Sequence, residues 1–240
     1  MTPWDCLDRA AINGGGELRL MQRGDEFSIM LGQIELMNSR FTGSEEALAT
    51  LACARIRGRQ RSEILIGGLG MGFTLRAALA DLALDARIFV AELVPAVIRW
   101  ARGLMAELFG TTLDDKRVTI IEGDVAPPIK TRQSSYDAIL LDVDNGPKGL
   151  TRESNDRLYD LTGLTSARRA LRPGGVLAVW SSGRDRDFSE RLRIASFQTD
   201  EIVVRAKSAR RTRNIIWMAT NADVADVQTV RRLVRWSQRR

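Results

Sequence analysis

Apolar and polar positions alternate along most of the chain in a way that predicts strands followed by helices. The clearest unit is 64–72, where an apolar run enters a glycine-rich stretch, followed by a segment of helical periodicity. A second apolar run, 87–91, ends in Glu92. This order predicts a strand, a tight turn, a helix and a parallel strand with a carboxylate beside the turn. It is typical of an adenosine-type site, in which Glu92 accepts hydrogen bonds from ribose hydroxyls.

The same alternation continues and predicts an α/β fold with a doubly wound, mostly parallel sheet of seven strands. The predicted strands are 63–67, 87–92, 118–122, 136–142, 176–180, 201–206 and 214–220. The predicted helices are 44–57, 72–84, 94–109, 153–171, 186–196 and 223–236, with Ser44 as the N-cap of the first.

Ahead of the sheet, residues 17–39 read as two or three short strands with turns at Gly24-Asp25 and Gly32. We therefore expect three parts. A small N-terminal β-hairpin lobe occupies 1–43, an α/β domain that binds the cofactor occupies 44–222, and a basic C-terminal helix occupies 223–240.

Candidate site residues follow four of the predicted strands. Gly67, Gly68, Gly70 and Gly72 follow the first, Glu92 the second, Gly123-Asp124 the third, and the 142–147 segment, which begins with Asp142, the fourth. Ligands of doubly wound sheets bind outside the carboxyl ends of the strands. We therefore expect these residues to converge on one side of the sheet.

Composition narrows the chemistry. The 240 residues are 44% hydrophobic and 28% charged, which is ordinary for a globular protein. No apolar run reaches the roughly 20 residues of a membrane helix, and the N-terminus lacks a signal-peptide pattern. We therefore expect a cytoplasmic protein with no membrane association. Cys6 and Cys53 form neither a disulfide framework nor a metal spacing, and Cys53 is expected to be a buried small residue.

The chain contains no histidine. Ser-His-Asp and Cys-His catalysis are therefore excluded. The usual ligand of catalytic zinc and iron is also missing, so no metal site is expected. Acid–base chemistry must fall to Asp, Glu, Tyr, Lys or an activated water.

Several motifs together resemble the spermidine/spermine synthase family within the class I S-adenosylmethionine-dependent methyltransferase fold. The loop 67–72 occupies the place of that family's GGGDGG loop, and Glu92 that of its ribose-binding acid. Gly123-Asp124 matches a Gly-Asp pair whose acid contacts adenine. The 136–147 segment resembles YDVIIxDSSDPxGP, and 171–176 resembles an L-K-P-G-G-V turn. The resemblance implies S-adenosylmethionine or its decarboxylated form as cofactor, a small-molecule acceptor, and a homodimer.

Departures from the family pattern bear on the reaction. In aminopropyltransferases the Asp of GGGDGG holds the amino end of decarboxylated S-adenosylmethionine, and that position is Gly70 here. A carboxylate there would repel the carboxylate of the intact cofactor. The second Asp of the DSSD segment falls on Asn145, with Asp144 adjacent. The family's Tyr-His-Glu element is absent, and 44–47 (SEEA) lies near its place.

Carboxylates at the tip of the fourth strand are the catalytic candidates. An amine must be neutral when it attacks the sulfonium, and a carboxylate can bind the ammonium and accept its proton. Asp142 is the first candidate and Asp144 the second, and Asp142 is also expected to contact the cofactor. The alternative is that Asp142 only caps its loop. Tyr159 and Trp180 are expected to be core residues rather than pocket walls.

The C-terminal segment is strongly basic, with ten basic residues and two acids over 205–240. Clustered Lys and Arg bind phosphates without sequence specificity, which leaves weak nucleic-acid binding open. Basic runs are also often simply solvated.

Three functions remain open. The first is a spermidine-synthase-like transferase that uses S-adenosylmethionine, with methyl transfer favoured. The second is an aminopropyltransferase that makes polyamines and uses Glu45 or Glu46 with Asp142 and Asp144 in the acceptor site. The third is a non-catalytic or RNA-directed protein of the same fold.

Overall fold

The computed structural model describes residues 3–12, 15–143, 146–147, 157–205 and 213–222. Within these residues the chain forms two sheets. A four-stranded antiparallel sheet comes first, followed by a seven-stranded sheet with helices packed against it. This confirms the predicted α/β class, the mostly parallel sheet and the small N-terminal β lobe.

The N-terminal lobe is a meander with strand order β1-β2-β3-β4. Its strands are β1 Asp5–Ala11, β2 Glu17–Arg23, β3 Glu26–Leu31 and β4 Ile34–Asn38. Apolar residues alternate along β2 and β3, so that Leu18, Leu20, Phe27 and Ile29 are buried on one face. The sequence reading missed β1. Its Asp-Cys-Leu-Asp-Arg-Ala-Ala run is short of β-formers and largely exposed, so that pairing with β2 defines it.

The main sheet has the order β10-β11-β9-β8-β5-β6-β7. The pairs β5–β6, β5–β8, β6–β7 and β8–β9 are parallel, whereas β11 runs antiparallel to both β9 and β10. Its strands are β5 Glu63–Gly67, β6 Arg87–Glu92, β7 Val118–Glu122, β8 Tyr136–Leu141, β9 Leu171–Ser181, β10 Gln198–Arg205 and β11 Arg213–Thr220. Every predicted strand is present, and β9 begins five residues earlier than expected.

The helices lie where the periodicity placed them, with three differences. They are α1 Gly43–Arg55, α2 Phe73–Asp81, α3 Pro95–Arg102, α4 Ala106–Phe109, α5 Ala126–Thr131, α6 Leu161–Ala170 and α7 Arg186–Ile194, with a 3₁₀ turn at Thr112–Asp114. The short helix α5 was not predicted. The predicted helix 94–109 breaks at Gly103, which is a poor helix former. Thr42, not Ser44, is the N-cap of α1.

Two helix predictions fall partly or wholly outside the description. The predicted helix 223–236 lies outside the described residues, as does the start of the predicted helix 153–171. No helix in the described part of the chain is long and apolar enough to cross a membrane.

The core sits on both faces of the main sheet, and Cys53 is buried within it as expected. Burial raises the pKa of the Cys53 thiol to about 12, so the group stays protonated. The lobe is tied to the main domain by a side-chain bond. Trp100 of α3 donates from Nε1 to Asp8 Oδ2 of β1 at 2.6 Å.

A buried carboxylate sits at the opposite end of β8 from the predicted site. Asp137 accepts hydrogen bonds from Arg59 at 2.7 Å, from the Glu63 backbone N–H at 2.9 Å, and from Arg172. It joins β8 to β5 and to the start of β9. Asp137, although it belongs to the 136–147 motif, thus stabilises the packing of these strands and does not line the cavity.

Candidate functional site

The carboxyl ends of β5, β6, β7 and β8 surround one cavity of about 190 Å³. Six of the predicted site residues line it: Gly68, Gly70, Glu92, Gly123, Asp124 and Asp142. Two do not. Gly67 ends β5, and Gly72 is the N-cap of α2.

Asp144 lies outside the described residues, so its place in the site stays a prediction. The described ranges contain no group of three or more His, Cys, Asp or Glu side chains able to hold a metal ion.

The glycine loop passes close to the end of β8. Gly68 has φ +93°, and a Cβ at this position would lie 2.4 Å from the Asp142 carbonyl oxygen. Its N–H donates to the Ala91 carbonyl at 2.8 Å, and the Asp142 N–H donates to the Gly67 carbonyl at 3.0 Å. Only glycine fits such a close approach in this conformation. The loop therefore holds the ends of β6 and β8 together around the cavity.

Glu92 is anchored by backbone donors. Its Oε2 accepts from the Leu69 N–H at 2.9 Å, and its Oε1 accepts from the Val94 N–H at 2.8 Å. Burial raises the pKa of Glu92, and these backbone hydrogen bonds oppose the rise. Glu92 is thus fixed in orientation at the cavity, and its hydrogen bonds to a ribose stay a prediction.

Asp124 follows β7 and also touches the backbone. Its Oδ1 accepts from the Ala126 N–H at 2.8 Å, across the start of α5. The bond is of the kind found in an ordinary Asx turn. Because Asp124 also lines the cavity, the contact to adenine suggested by the resemblance stays a prediction.

Asp142 is held by Thr74. The Thr74 hydroxyl, in the first turn of α2, donates to Asp142 Oδ2 at 2.6 Å. Burial raises the pKa of Asp142 to about 7, the charge of nearby Glu45 adds to the rise, and the Thr74 hydrogen bond opposes it. A carboxyl group that titrates near neutral pH is able to exchange a proton with a bound amine.

Glu45, at the start of α1, is the second carboxylate on this side of the cavity. Ser44 Oγ donates to Glu45 Oε2 at 2.6 Å. Burial raises the pKa of Glu45, and the Ser44 hydrogen bond opposes the rise. Two neighbouring carboxyl groups disfavour each other's ionised forms, and a cation between them relieves the repulsion. Glu45 and Asp142 both line the cavity, and a role for this pair in binding an ammonium group stays a prediction.

Met37 of β4 lies against the position where the family loop carries an acid. Gly70 has φ +50°, and a Cβ built there would lie 2.8 Å from Met37 Sδ and 2.9 Å from its Cε. The same sulfur accepts from the Met71 N–H at 3.1 Å. A side chain at residue 70 would therefore displace Met37 from the glycine loop.

Some of these residues were not found by sequence reasoning. Thr74 and Met37 carry no motif of their own. The one signal for Thr74 is a hydroxyl in the first turn after the glycine loop, whereas Met37 depends on how the lobe packs. Trp180 packs against the core, as expected, and is partly buried, but it also lines the cavity. Tyr159 is buried, as expected, with its ring edge-on to Phe188.

The fold and the cleft define the protein's class. A mostly parallel seven-stranded sheet with a glycine loop after its first parallel strand and an acid after the next is the class I S-adenosylmethionine-dependent methyltransferase fold. Residues 43–184 match the spermine/spermidine synthase domain. The chain therefore belongs to the spermine/spermidine synthase family.

Curated relatives carry two different activities in their names. The chain is 33% identical over 118 residues to putrescine N-methyltransferase 2 of Nicotiana attenuata, covering 49% of this chain and 30% of that protein. It is 27% identical over 175 residues to a polyamine aminopropyltransferase of Mycobacterium tuberculosis, covering 68% of this chain and 30% of that protein. The matches thus span about 30% of the length of these relatives.

Solved structures agree on the fold. The spermidine synthase of Thermotoga maritima superposes with a TM-score of 0.72 at 18% identity, over 90% of this chain and 73% of that one. A spermidine synthase bound to the transition-state analogue AdoDATO gives the same TM-score and identity, over 90% of this chain and 72% of that one.

Proposed function

We propose that the protein is a transferase that uses S-adenosylmethionine and moves its methyl group to the nitrogen of a small amine. The observation that carries the proposal is the carboxylate pair Glu45 and Asp142, on the same cavity as the glycine loop and Glu92. In this proposal the pair would bind the ammonium group and accept its proton beside the expected nucleoside site.

Glu92 would hold the nucleoside through the ribose hydroxyls, and Asp124 would contact the adenine. The glycine loop lets the ligand approach the backbone closely. The sulfonium, when bound, supplies an activated methyl group. The residues of this chain supply position and charge, which is most of what a displacement reaction of this kind requires.

Asp142 would act on the acceptor. An amine arrives largely as ammonium at neutral pH, and the ionised Glu45 and Asp142 attract it. Asp142 accepts one proton, since its pKa of about 7 lets it release that proton again. With its proton held by Asp142, the amine would be neutral and able to accept the methyl group, and the sulfur of the donor would leave as a neutral thioether. Thr74 orients the accepting carboxylate.

Methyl transfer is favoured over aminopropyl transfer because of Gly70. No carboxylate stands there to select a donor that ends in a bare ammonium or to repel one that ends in a carboxylate. Met37 covers this part of the loop with an uncharged thioether. The similarity to putrescine N-methyltransferases supports the same choice.

Aminopropyl transfer is the second candidate, and the similarity to a polyamine aminopropyltransferase favours it. The two reactions differ in the mass added to the acceptor. The test is incubation of the protein with an amine mixture and either S-adenosylmethionine or its decarboxylated form, followed by mass spectrometry. Addition of one methyl group supports the proposal. Addition of an aminopropyl group from the decarboxylated donor alone would replace it with the second candidate.

A nucleic-acid role for the basic segment 205–240 stays a prediction, because most of that segment lies outside the described residues. The homodimer and the cytoplasmic location also stay predictions.

A further inference from the structure

The cavity has two walls of different chemistry. Within the described ranges, the N-terminal lobe contributes only aliphatic and thioether side chains: Ile12, Leu18, Ile29, Leu31, Leu36 and Met37. The α/β domain contributes four carboxylates: Glu45, Glu92, Asp124 and Asp142. No Lys or Arg among the described residues lines the cavity. The carboxylates of the cavity therefore all lie on the domain side, next to further apolar side chains such as Val97, Val125 and Trp180, whereas the lobe side is apolar throughout.

The carboxylates divide between the two ligands. In the proposed function Glu92 and Asp124 serve the nucleoside. That leaves Glu45 and Asp142, which both line the cavity beside Thr74. The Thr74 hydroxyl is 2.6 Å from Asp142 Oδ2 and 3.4 Å from the Glu45 carbonyl oxygen, so the two acidic residues lie close enough to serve as one place for one ammonium group.

The rest of an acceptor bound there has to lie against other surfaces of the cavity. A second ammonium directed to the lobe would meet side chains without an acceptor atom stronger than a thioether. A charge removed from water without such a partner is strongly disfavoured. An apolar group in the same position would instead be transferred out of water onto a matching surface.

We infer that the acceptor is a primary amine with a single cationic head and an apolar body, aliphatic or aromatic, rather than a linear polyamine. The head binds between Glu45 and Asp142, and the body packs on the lobe wall. This inference rests on the proposed function and specifies its substrate. The lobe thus sets acceptor specificity, while the α/β domain supplies the chemistry.

A matched pair of ligands tests the inference. Pentylamine and 1,4-diaminobutane have the same number of non-hydrogen atoms and differ in having a methyl or an ammonium at one end. Both are titrated calorimetrically into the full chain loaded with S-adenosylhomocysteine, which cannot donate a methyl group. We expect pentylamine to bind at least tenfold more tightly. Equal or tighter binding of the diamine would overturn the inference.

A series of amines with alkyl chains of increasing length gives a second test on the wild-type protein. Propylamine, pentylamine and heptylamine present the same head with growing apolar bodies. Each buried methylene is expected to tighten binding about fourfold until the cavity is filled. An affinity that does not change with length would show that the body stays in water and would overturn the inference.

The lobe wall is tested with Leu36→Asn, and Leu84→Asn is the matched control at a residue that is 80% exposed and does not line the cavity. Leu36→Asn should weaken pentylamine about tenfold and leave S-adenosylhomocysteine affinity unchanged, which also reports an intact fold. An unchanged pentylamine affinity would contradict the role of the wall.

Failure of the proposed function looks different. If S-adenosylhomocysteine and S-adenosylmethionine both fail to bind, the proposed function falls and the inference falls with it. If the cofactor binds and the diamine is preferred, only the inference falls.

Discussion

Met37 of the N-terminal lobe lies against Gly70 of the glycine loop, with its sulfur 3.1 Å from the Met71 backbone nitrogen that donates to it. A Cβ at residue 70 would come within 2.8 Å of that sulfur. The lobe thus packs directly on the glycine loop at residue 70. The resemblance to aminopropyltransferases predicts an acid at this position that selects the donor. The first prediction follows from this contact.

An Asp at residue 70, as in the GGGDGG loop of the family, should change which donor the protein prefers. The double variant Gly70→Asp with Met37→Ala removes the clash and adds a carboxylate, and Asp tolerates a positive φ better than most residues. We expect its affinity ratio to shift at least tenfold toward decarboxylated S-adenosylmethionine, measured by calorimetry. Gly70→Asp alone should lose affinity for both donors. Gly24→Asp is the control, since Gly24 has a similar φ of +57° with open space around it. An unchanged ratio in the double variant would reject Gly70 as a determinant.

Glu92→Ala should weaken cofactor binding by roughly 2–4 kcal/mol, because ribose hydroxyls lose their acceptor and the loop loses its anchor. The matched control is Glu122→Ala. Glu122 is opposite Glu92 in the β6–β7 register but is exposed and does not line the cavity. Calorimetric titration with S-adenosylhomocysteine measures the affinity of both variants. Equal affinities for the two variants would remove Glu92 from the site.

Asp142→Asn should lower activity and raise stability. The folded-state pKa of Asp142 is about 7, above its ordinary value of 3.8, so its ionisation opposes folding. This penalty grows as pH rises from about 4 to about 7 and is constant above that. At pH 8 the variant should be more stable by up to about 4 kcal/mol, because each pKa unit is worth about 1.4 kcal/mol.

At pH 5 the stability difference should shrink, since the folded wild-type group is then protonated. Denaturant titrations at the two pH values measure it. A variant that is less stable than wild type at pH 8 would show that the Asp142 charge is compensated in the fold.

Thr74→Val tests the proton-accepting role separately. The variant keeps the shape of the side chain and removes the hydroxyl that stabilises the ionised form of Asp142. The pKa of Asp142 should rise, and the acidic limb of the activity profile should move to higher pH. Thr119→Val, on an exposed position of β7, is the control. A uniform drop in rate with an unmoved limb would mean that Thr74 acts only on packing.

Asp137→Asn should destabilise the protein without affecting the site. Asp137 is buried between two arginines, and removing one partner from such a group lowers the free energy of unfolding by roughly 3–5 kcal/mol. Asp200→Asn, which breaks an exposed pair with Arg55, should have an effect below about 1 kcal/mol. Cofactor affinity should be unchanged in both. A loss of affinity in Asp137→Asn at native conditions would tie this end of the sheet to binding.

Much of the fold was predictable, because the strands of the main sheet are apolar runs bounded by turns. The glycine loop and Glu92 were also predictable, since their order along the chain determines their position in a parallel sheet. The lobe's first strand was not, because Asp5–Ala11 has neither alternation nor strong β-formers. The break of the predicted helix 94–109 at Gly103 was not predictable either, because it depends on how α3 and α4 pack.

The acceptor side of the site was less predictable for a different reason. Glu45, Thr74 and Asp142 come from three elements, and their pairing depends on how α1 and α2 pack beside β8. Met37 depends on the position of the whole lobe. Such contacts between distant segments leave no local pattern.

The most direct test of the account is a parallel calorimetric titration of the purified protein with S-adenosylmethionine, its decarboxylated form and methylthioadenosine. The account predicts binding of all three through the nucleoside, with the intact cofactor tighter than the decarboxylated one. Tighter binding of the decarboxylated form would contradict methyl transfer. Binding of none would contradict the proposed cofactor site itself.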